Sequence, residues 1–158
     1  MNWQQACEDK SLANLPFKVE LNRHGQILMS PTRNKHGFYQ AQIAHLLKTL
    51  LPQGFVLTEC AIDTLEGTFV ADVTWASADR FETIEDEFSC SIAPEICVEV
   101  WSESNTAEEI RHKRELYFSK GAVEFWYCDR AGGMTFFTRE AQITASRLCP
   151  GFPNTVDR

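Results

Sequence analysis

Hydrophobic residues recur with two different periods along the chain, and the two periods predict a mixture of helices and strands. Between His36 and Leu51 the apolar residues follow helical spacing, and Pro52 then ends the run. A second helix is predicted from Thr106 to Lys120, where Thr106 and Glu109 stand at the spacing of a capping box. We expect both helices to pack against a sheet.

Alternating or continuous short apolar runs predict the strands. Val19–Leu21 and Gln26–Met29 flank a polar turn with Gly25, so residues 19–30 should form an N-terminal hairpin. The other predicted strands cover 55–62, 68–75, 95–101, 123–128 and 134–138, the first two forming a second hairpin. The acidic stretch between Ala76 and Ser91 shows little periodicity and is predicted to be a loop or a short helix.

The order of these elements predicts an α/β fold with a mixed central β-sheet flanked by the two helices. With 158 residues, 44% of them apolar, the chain has the size and composition of one domain. We therefore expect a single domain over residues 1–158, in which the N-terminal hairpin extends or flanks a core of about 36–140.

The charge balance makes any binding of nucleic acid depend on local features. Fifteen Lys and Arg residues against 22 Asp and Glu give a formal net charge of −7, which offers no overall attraction to a phosphate backbone. The six cysteines form no Cys-x-x-Cys pair, and no targeting signal or membrane-spanning run is visible, so a reduced cytoplasmic protein is expected. The histidines lack metal-ligand spacing and are expected to be surface or satisfied residues: His24, His36, His45 and His112.

Two acidic residues stand inside strand-like sequence. Asp72 lies within the 68–75 run, and Glu99 lies within the 95–101 run. A carboxylate buried in a sheet is costly unless it binds a cation or takes part in chemistry, so this pair is a candidate site. Lys113 shares a helix face with Ile110 and Tyr117, and this spacing allows its side chain to point inward.

A series of short motifs occurs in a fixed order from about Val19 to about Phe152. The motifs are Glu20 and Gly25 in the hairpin, Met29-Ser30-Pro31, His36 at the start of the first predicted helix, Ala71-Asp72-Val73, the run from Val98 to Ser104, Lys113 with Tyr117, the run from Gly121 to Trp126 with Asp129, and the run from Leu148 to Phe152. In this order they resemble the Uma2 (DUF820) restriction-endonuclease-like family of the PD-(D/E)XK nuclease superfamily.

The resemblance implies a restriction-endonuclease-like fold and an endonuclease that uses Mg²⁺ or Mn²⁺ to hydrolyse DNA phosphodiester bonds. It assigns Asp72, Glu99 and Lys113 as catalytic residues. The metal ligands that it implies are Asp72, Glu99 and the main-chain carbonyl of Val100. It is also compatible with a homodimer, in which two active sites cut two strands.

Two positions depart from the superfamily pattern. Ala71 stands where a proline is usual, and Trp101 stands where the superfamily normally has its lysine. By resemblance to the family, Lys113 on the following helix takes over the role of that lysine. Glu20 and Tyr117 are additional candidates for the site on the same grounds.

Two other functions compete with the nuclease hypothesis. A catalytically inactive module with the same fold would bind nucleic acid without metal, with basic residues of the second helix as phosphate contacts: Arg111, Lys113, Arg114 and Lys120. A protein-interaction module would suit the acidic composition. Titration with a divalent metal ion would discriminate among the three.

Overall fold

Strands and helices in the computed structural model, which describes residues 1–158, follow the predicted order. The strands are β1 (Phe17–Asn22), β2 (Ile27–Pro31), β3 (Phe55–Thr64), β4 (Gly67–Ala76), β5 (Ile96–Val100), β6 (Glu124–Cys128), β7 (Met134–Thr138) and β8 (Gln142–Ile143). The helices are α1 (Trp3–Glu8), α2 (Asn34–Leu50), α3 (Ala78–Ile84) and α4 (Ala107–Ser119).

All eight strands form one mixed sheet in the order β2-β1-β4-β5-β6-β7-β8, with β3 paired to β4 as well. Every pairing is antiparallel except that of β5 with β6, which are parallel and joined by α4. A parallel pair needs a crossover connection, and α4 supplies it. The predicted α/β class with a mixed central sheet is confirmed.

The sheet divides beside β4. β3 pairs along the whole of one edge of β4, whereas the other edge is shared by β1 at its start and β5 at its end. The β1 pairs are Leu21 with Thr68 and Asn22 with Gly67, and the β5 pairs begin only at Val73. Residues 69–72 of β4 therefore face no strand on that edge, and we call this opening the fork.

Gly67 allows β1 to approach β4 at the closed end of the fork. Its φ of 123° lies in the region that favours glycine, and a Cβ built there would lie 2.1 Å from the main-chain oxygen of Leu21. A side chain at this position would push the two strands apart. The glycine thus fixes where the β1–β2 hairpin joins the sheet.

Two apolar clusters cover the two faces of the sheet. Under α2, Tyr39, Ile43 and Leu47 pack on one face, at the helical spacing seen in the sequence. Under α4, Ile110, Tyr117 and Phe118 pack on the other. None of the helices is both long enough and apolar enough to cross a membrane.

The structure also adds elements that the sequence pattern does not predict. Both α1 and β8 are absent from the prediction, and the uncertain acidic stretch contains α3. β1 begins at Phe17, two residues before the predicted start. The Thr106–Glu109 capping box is present at the start of α4, and all six cysteines are free thiols.

Candidate active site in the sheet fork

Five charged side chains fill the fork, contributed by four different elements. β1 provides Lys18 and Glu20, which lie two residues apart and so on the same side of their strand. β4 provides Asp72, β5 provides Glu99 and α4 provides Lys113. Each of these side chains is at most 8% exposed, so the cluster is almost closed to solvent. Buried charges at this density must neutralise each other.

Asp72 and Glu99 face each other across neighbouring strands. Val73 pairs with Val98, and one further step of this antiparallel register sets Asp72 opposite Glu99. Asp72 Oδ2 accepts a hydrogen bond of 2.7 Å from the main-chain N–H of Val100. This bond crosses the strand boundary and holds the Asp72 carboxylate against β5.

The Lys18 ammonium lies between these two carboxylates. Its Nζ is 2.9 Å from Asp72 Oδ1 and 3.5 Å from Glu99 Oε2. Glu99 Oε2 is fully buried and has no hydrogen-bond partner. The two acids therefore converge on one position, and that position holds a cation. Lys18 was not among the predicted site residues.

Lys113 reaches the same cluster from the opposite side. Its Nζ donates a 2.6 Å hydrogen bond to Glu20 Oε1 and lies 3.5 Å from Glu99 Oε1. Glu20 Oε1 also accepts from the main-chain N–H of Val70 at 2.9 Å. The Glu20 carboxylate thus satisfies a β4 donor that has no strand partner in the fork, and it orients Lys113 at the same time.

Tyr117 fixes the other oxygen of Glu99. Its hydroxyl donates a 2.8 Å hydrogen bond to Glu99 Oε1. Both Tyr117 and Lys113 therefore act on this oxygen, whereas Oε2 faces Lys18 alone. The two oxygens of Glu99 have different environments, and only Oε2 is left open toward Asp72.

Helix α2 contacts Asp72 through His36, which corrects one expectation. His36 is neither exposed nor fully satisfied, because its Nδ1 lies 3.3 Å from the Trp101 carbonyl while the buried Nε2 has no hydrogen-bond partner. That Nε2 is 3.2 Å from Asp72 Oδ1. Sequence spacing did not single out His36 because its partners are distant in the chain.

The backbone of β3 is also distorted at the level of Asp72. Glu59, which stands opposite Asp72, has a φ of 53°, although it is not a glycine. The Gln40 side chain bonds both Glu59 Oε1 at 2.8 Å and the main-chain oxygen of Asp72 at 2.9 Å. The Gln40 side chain of α2 therefore replaces a strand donor at the main-chain oxygen of Asp72.

Burial and neighbouring charges move the pKa values of the acid pair in opposite directions. Burial raises the pKa of Glu99 to about 7, although Lys113 and Lys18 act against it. Burial has the same tendency at Asp72, but Lys18, His36 and the Val100 N–H outweigh it and lower its pKa. Asp72 is therefore the stronger acid of the pair and Glu99 the weaker one.

The basic groups of the cluster respond to the same carboxylates. Burial alone would lower the pKa of Lys18, but Asp72, Glu99 and Glu20 raise it above its ordinary value. Burial likewise opposes the charged form of His36, and the nearby Asp72 reverses the effect and raises its pKa. Burial and the Glu99 charge raise the pKa of the Tyr117 hydroxyl, which stays a donor.

The donor set suits a hard divalent cation. Mg²⁺ binds through one or two carboxylates and completes its shell with water and substrate oxygens. Asp72 Oδ1 and the unpartnered Glu99 Oε2 face one cation position, which matches this requirement. No set of three or more His, Cys, Asp or Glu side chains is gathered for a metal ion, so protein side chains alone do not form a complete cage.

The predicted site residues thus lie in one place. Asp72, Glu99 and Lys113 share the cluster, and Glu20 and Tyr117 contact members of it directly. Val100 contacts Asp72 through its main-chain N–H.

Comparison with known proteins identifies the family. A family described as "Putative restriction endonuclease", Uma2, matches residues 6–151. The chain belongs to this family. Comparison with curated proteins gives no match.

Among solved structures, the chain is similar to the crystal structure of "a putative nuclease belonging to DUF820" from Anabaena variabilis ATCC 29413, with a TM-score of 0.75 and 12% sequence identity. That likeness covers 99% of this chain and 95% of the other and confirms the predicted nuclease-like fold. The match to the Uma2 family, and not the solved structure, supports a nuclease function.

A basic cavity leads from the surface toward the cluster of this Uma2 protein. It has a volume of about 240 Å³ and is lined by His36 and Trp101 together with Arg33, Lys35 and Arg130. The Arg130 guanidinium lies 5.2 Å from the Trp101 ring centroid, and Arg33 pairs with Glu103 at 2.7 Å. Because His36 also touches Asp72, the cavity and the acid pair share a wall.

Proposed function

We propose that this Uma2 protein is a Mg²⁺-dependent endonuclease that hydrolyses DNA phosphodiester bonds, with Mn²⁺ as an effective substitute. The observation that carries the proposal is the convergence of Asp72 and Glu99 on one buried cation position, with Lys113 beside Glu99. Hard oxygen ligands on adjacent strands with a fixed lysine are the groups that metal-assisted phosphodiester hydrolysis needs. The family description supports the same reaction class.

In this proposal Asp72 Oδ1, Glu99 Oε2 and the Val100 carbonyl hold the metal ion. Bound there, the ion would polarise a phosphoryl oxygen and lower the pKa of an attacking water. The hydrogen bond from the Val100 N–H and the one from the Tyr117 hydroxyl each occupy the other oxygen of an acid. Both bonds fix the carboxylates before substrate arrives, which lowers the cost of ordering them.

Lys113 supplies a positive charge for the pentavalent phosphate and orients water. Its ammonium is pinned by Glu20 Oε1 at 2.6 Å, so its position costs no rearrangement during the reaction. Lys113 is the catalytic cation, and Glu20 and Tyr117 are positioning residues. The burial of Lys113 also argues against the alternative in which Lys113 is a surface contact to phosphate.

DNA would approach through the basic cavity. Lys35 and Arg130 line its wall, and these residues supply the local positive charge that the net charge of −7 makes necessary. His36 connects this wall to Asp72. A phosphate held between the basic groups would lie on the route to the acid pair.

A catalytically inactive nuclease-fold module that binds nucleic acid or protein is the second candidate. One observation favours it, because the position between Asp72 and Glu99 is already held by Lys18. Such a module would need no divalent ion. Its behaviour therefore differs from that of the nuclease in any experiment that varies the metal.

Supercoiled plasmid incubated with the protein and millimolar Mg²⁺ or Mn²⁺ tests the proposal. We expect nicked and linear DNA with either metal, none in EDTA, and none with Asp72→Asn. Asp63→Asn, which changes an exposed aspartate on β3, is the matched control and should cut like the parent protein. Intact plasmid in all metal conditions would favour the inactive module.

A further inference from the structure

We propose that Lys18 is a resident cation that a divalent metal ion must displace from the fork. The inference deepens the proposed function and rests on its metal site. The Lys18 ammonium lies where Asp72 Oδ1 and Glu99 Oε2 converge, at 2.9 Å and 3.5 Å. An ammonium and a metal ion cannot share this space, because metal–oxygen distances are only about 2.0–2.1 Å for Mg²⁺.

The charge of the cluster favours exchange over addition. With a metal ion bound, the ligating carboxylates must be ionised, so Glu20, Asp72 and Glu99 carry three negative charges against two positive charges on Lys18 and Lys113. Adding a divalent ion would leave the cluster one unit positive, whereas replacing Lys18 by that ion makes it neutral. A buried cluster with uncompensated charge is unfavourable, so metal binding and departure of Lys18 should be coupled.

The unpartnered oxygen of Glu99 is independent evidence that the position is built for another ligand. Glu99 Oε2 is completely buried and makes no hydrogen bond, even to Lys18. A buried carboxylate oxygen without a partner costs free energy. The Lys18 ammonium therefore offsets the charge of Glu99 without donating a hydrogen bond to Oε2. This is what we expect of a cation that can be replaced.

A cavity beside Lys18 can receive the displaced side chain. Its volume is about 440 Å³, and Lys18 lines it together with Pro16, Thr32, Gln40 and Glu59. The carboxylate of Glu59 is exposed there and can pair with the ammonium. The flexible four-carbon stem of a lysine allows such a movement without any change in β1.

Metal binding to EDTA-treated protein, measured by calorimetric titration with Mn²⁺, tests the exchange. Lys18→Met keeps the length of the side chain and removes its charge, so we expect it to bind Mn²⁺ roughly tenfold more tightly than the parent protein, or better. Lys48→Met, which changes an exposed lysine far along α2, should match the parent. Equal or weaker binding by Lys18→Met would overturn the proposal, and so would the absence of binding by both proteins.

A second measurement on the unmodified protein covers the case in which Lys18→Met does not fold without metal. In crystals soaked with Mn²⁺, we expect an anomalous peak between Asp72 and Glu99, with Lys18 moved into the cavity beside Glu59. A peak beside an unmoved Lys18, or no peak, contradicts the exchange.

The two proposals fail in different ways. Exchange without plasmid cleavage would refute the nuclease activity alone. Metal-dependent cleavage with unchanged Mn²⁺ affinity in Lys18→Met would refute the exchange alone.

Discussion

Glu99 and Asp72 are two acids of one cluster whose pKa values shift in opposite directions, although burial raises the pKa of both. Asp72 has three stabilising neighbours, Lys18, His36 and the Val100 N–H, and its pKa falls. Glu99 is buried to the same extent, but Lys113 and Lys18 do not outweigh its burial, so its pKa rises. The cost of burying a charge is therefore less well compensated at Glu99, the residue with the unpartnered oxygen.

The raised pKa of Glu99 predicts a specific pH dependence of stability in the metal-free protein. Because the folded-state pKa of about 7 exceeds the ordinary value of 4.5, the Glu99 contribution is fully present below pH 4.5 and is lost as the pH rises through 7. We expect the free energy of unfolding of the parent protein, relative to Glu99→Gln, to fall by up to about 1.4 kcal/mol per pH unit in this range. Urea unfolding of both proteins at a series of pH values measures this difference. The same pH dependence of the unfolding free energy in the parent protein and in Glu99→Gln would contradict the prediction.

Lys113 should be required for cleavage but not for metal binding. Lys113→Met keeps a side chain of similar length while removing its charge, so we expect cleavage to fall by about 100-fold or more. The increase in Tm caused by Mn²⁺ should remain, since Asp72 and Glu99 are intact. Lys120→Met at the end of α4 is the control and should cut normally. Cleavage by Lys113→Met at the parent rate would reject its assigned role.

At the scale of elements, β1 and α4 bring their charges into a fork that β4 and β5 create. The hairpin β1–β2 joins the sheet through only two residue pairs, whereas α4 is anchored by its capping box and by its apolar face. Helix α4 should therefore determine how firmly Lys113 is held. The stability of α4 can be tested at its N-terminal capping box.

Removing the cap of α4 should lower stability without changing the chemistry of the site. Thr106 Oγ1 accepts from the Glu109 N–H at 3.2 Å, and the Glu109 side chain accepts from the Thr106 N–H at 3.0 Å. Thr106→Ala should lower the free energy of unfolding by about 1 kcal/mol. Thr83→Ala, at an exposed position of α3, should change it by less than about 0.5 kcal/mol. Equal effects in urea titrations would show that the capping box does not stabilise α4.

Elements with a clear period were predictable from the sequence, whereas their pairing was not. The spacing of apolar residues predicts α2, and alternation predicts β5 with Glu99 on the opposite face from Val98. The short α1 and β8 carry too few residues for a period to appear. The fork depends on the register by which distant strands pair, and no local pattern encodes that register.

The two site residues that sequence analysis missed were hidden by their types and positions. Lys18 lies just before the predicted start of its strand at Val19, and lysines are rarely buried. His36 lies in the first turn of α2 and belonged to the resemblance without a role, and it meets Asp72 only in the folded chain. One signal was available, because Lys18 and Glu20 share a strand face and Glu20 already belonged to the resemblance.

At the scale of the whole molecule, a net charge of −7 must be reconciled with a polyanionic substrate. The basic cavity concentrates cationic groups at one entrance to the cluster. Counterion release from DNA depends on such local contacts, and the total charge of the protein matters less. A homodimer remains a prediction, because two sites would be needed to cut both strands in one binding event.

Removing the basic groups of the cavity should weaken DNA binding and its salt dependence together. With Lys35→Ala and Arg130→Ala combined, two phosphate contacts are lost, so the slope of log affinity against log salt should become shallower by about two. The double variant Lys10→Ala with Lys48→Ala has the same change in charge and serves as the control. Fluorescence anisotropy with a labelled duplex at several salt concentrations measures the affinity and its salt dependence. Identical slopes for the two double variants would show that DNA does not bind at the basic cavity.

Asp72 and Glu99 are proposed to form a metal-dependent phosphodiester-cleaving site. The most direct test is the single-turnover rate at which a 5′-labelled DNA duplex is cleaved at saturating Mn²⁺ by the parent protein and by Glu99→Gln. In Glu99→Gln we expect a loss on the order of a thousandfold, equivalent to about 4 kcal/mol of transition-state stabilisation. Rates within a factor of about three of each other, or no cleavage by the parent protein, would contradict it.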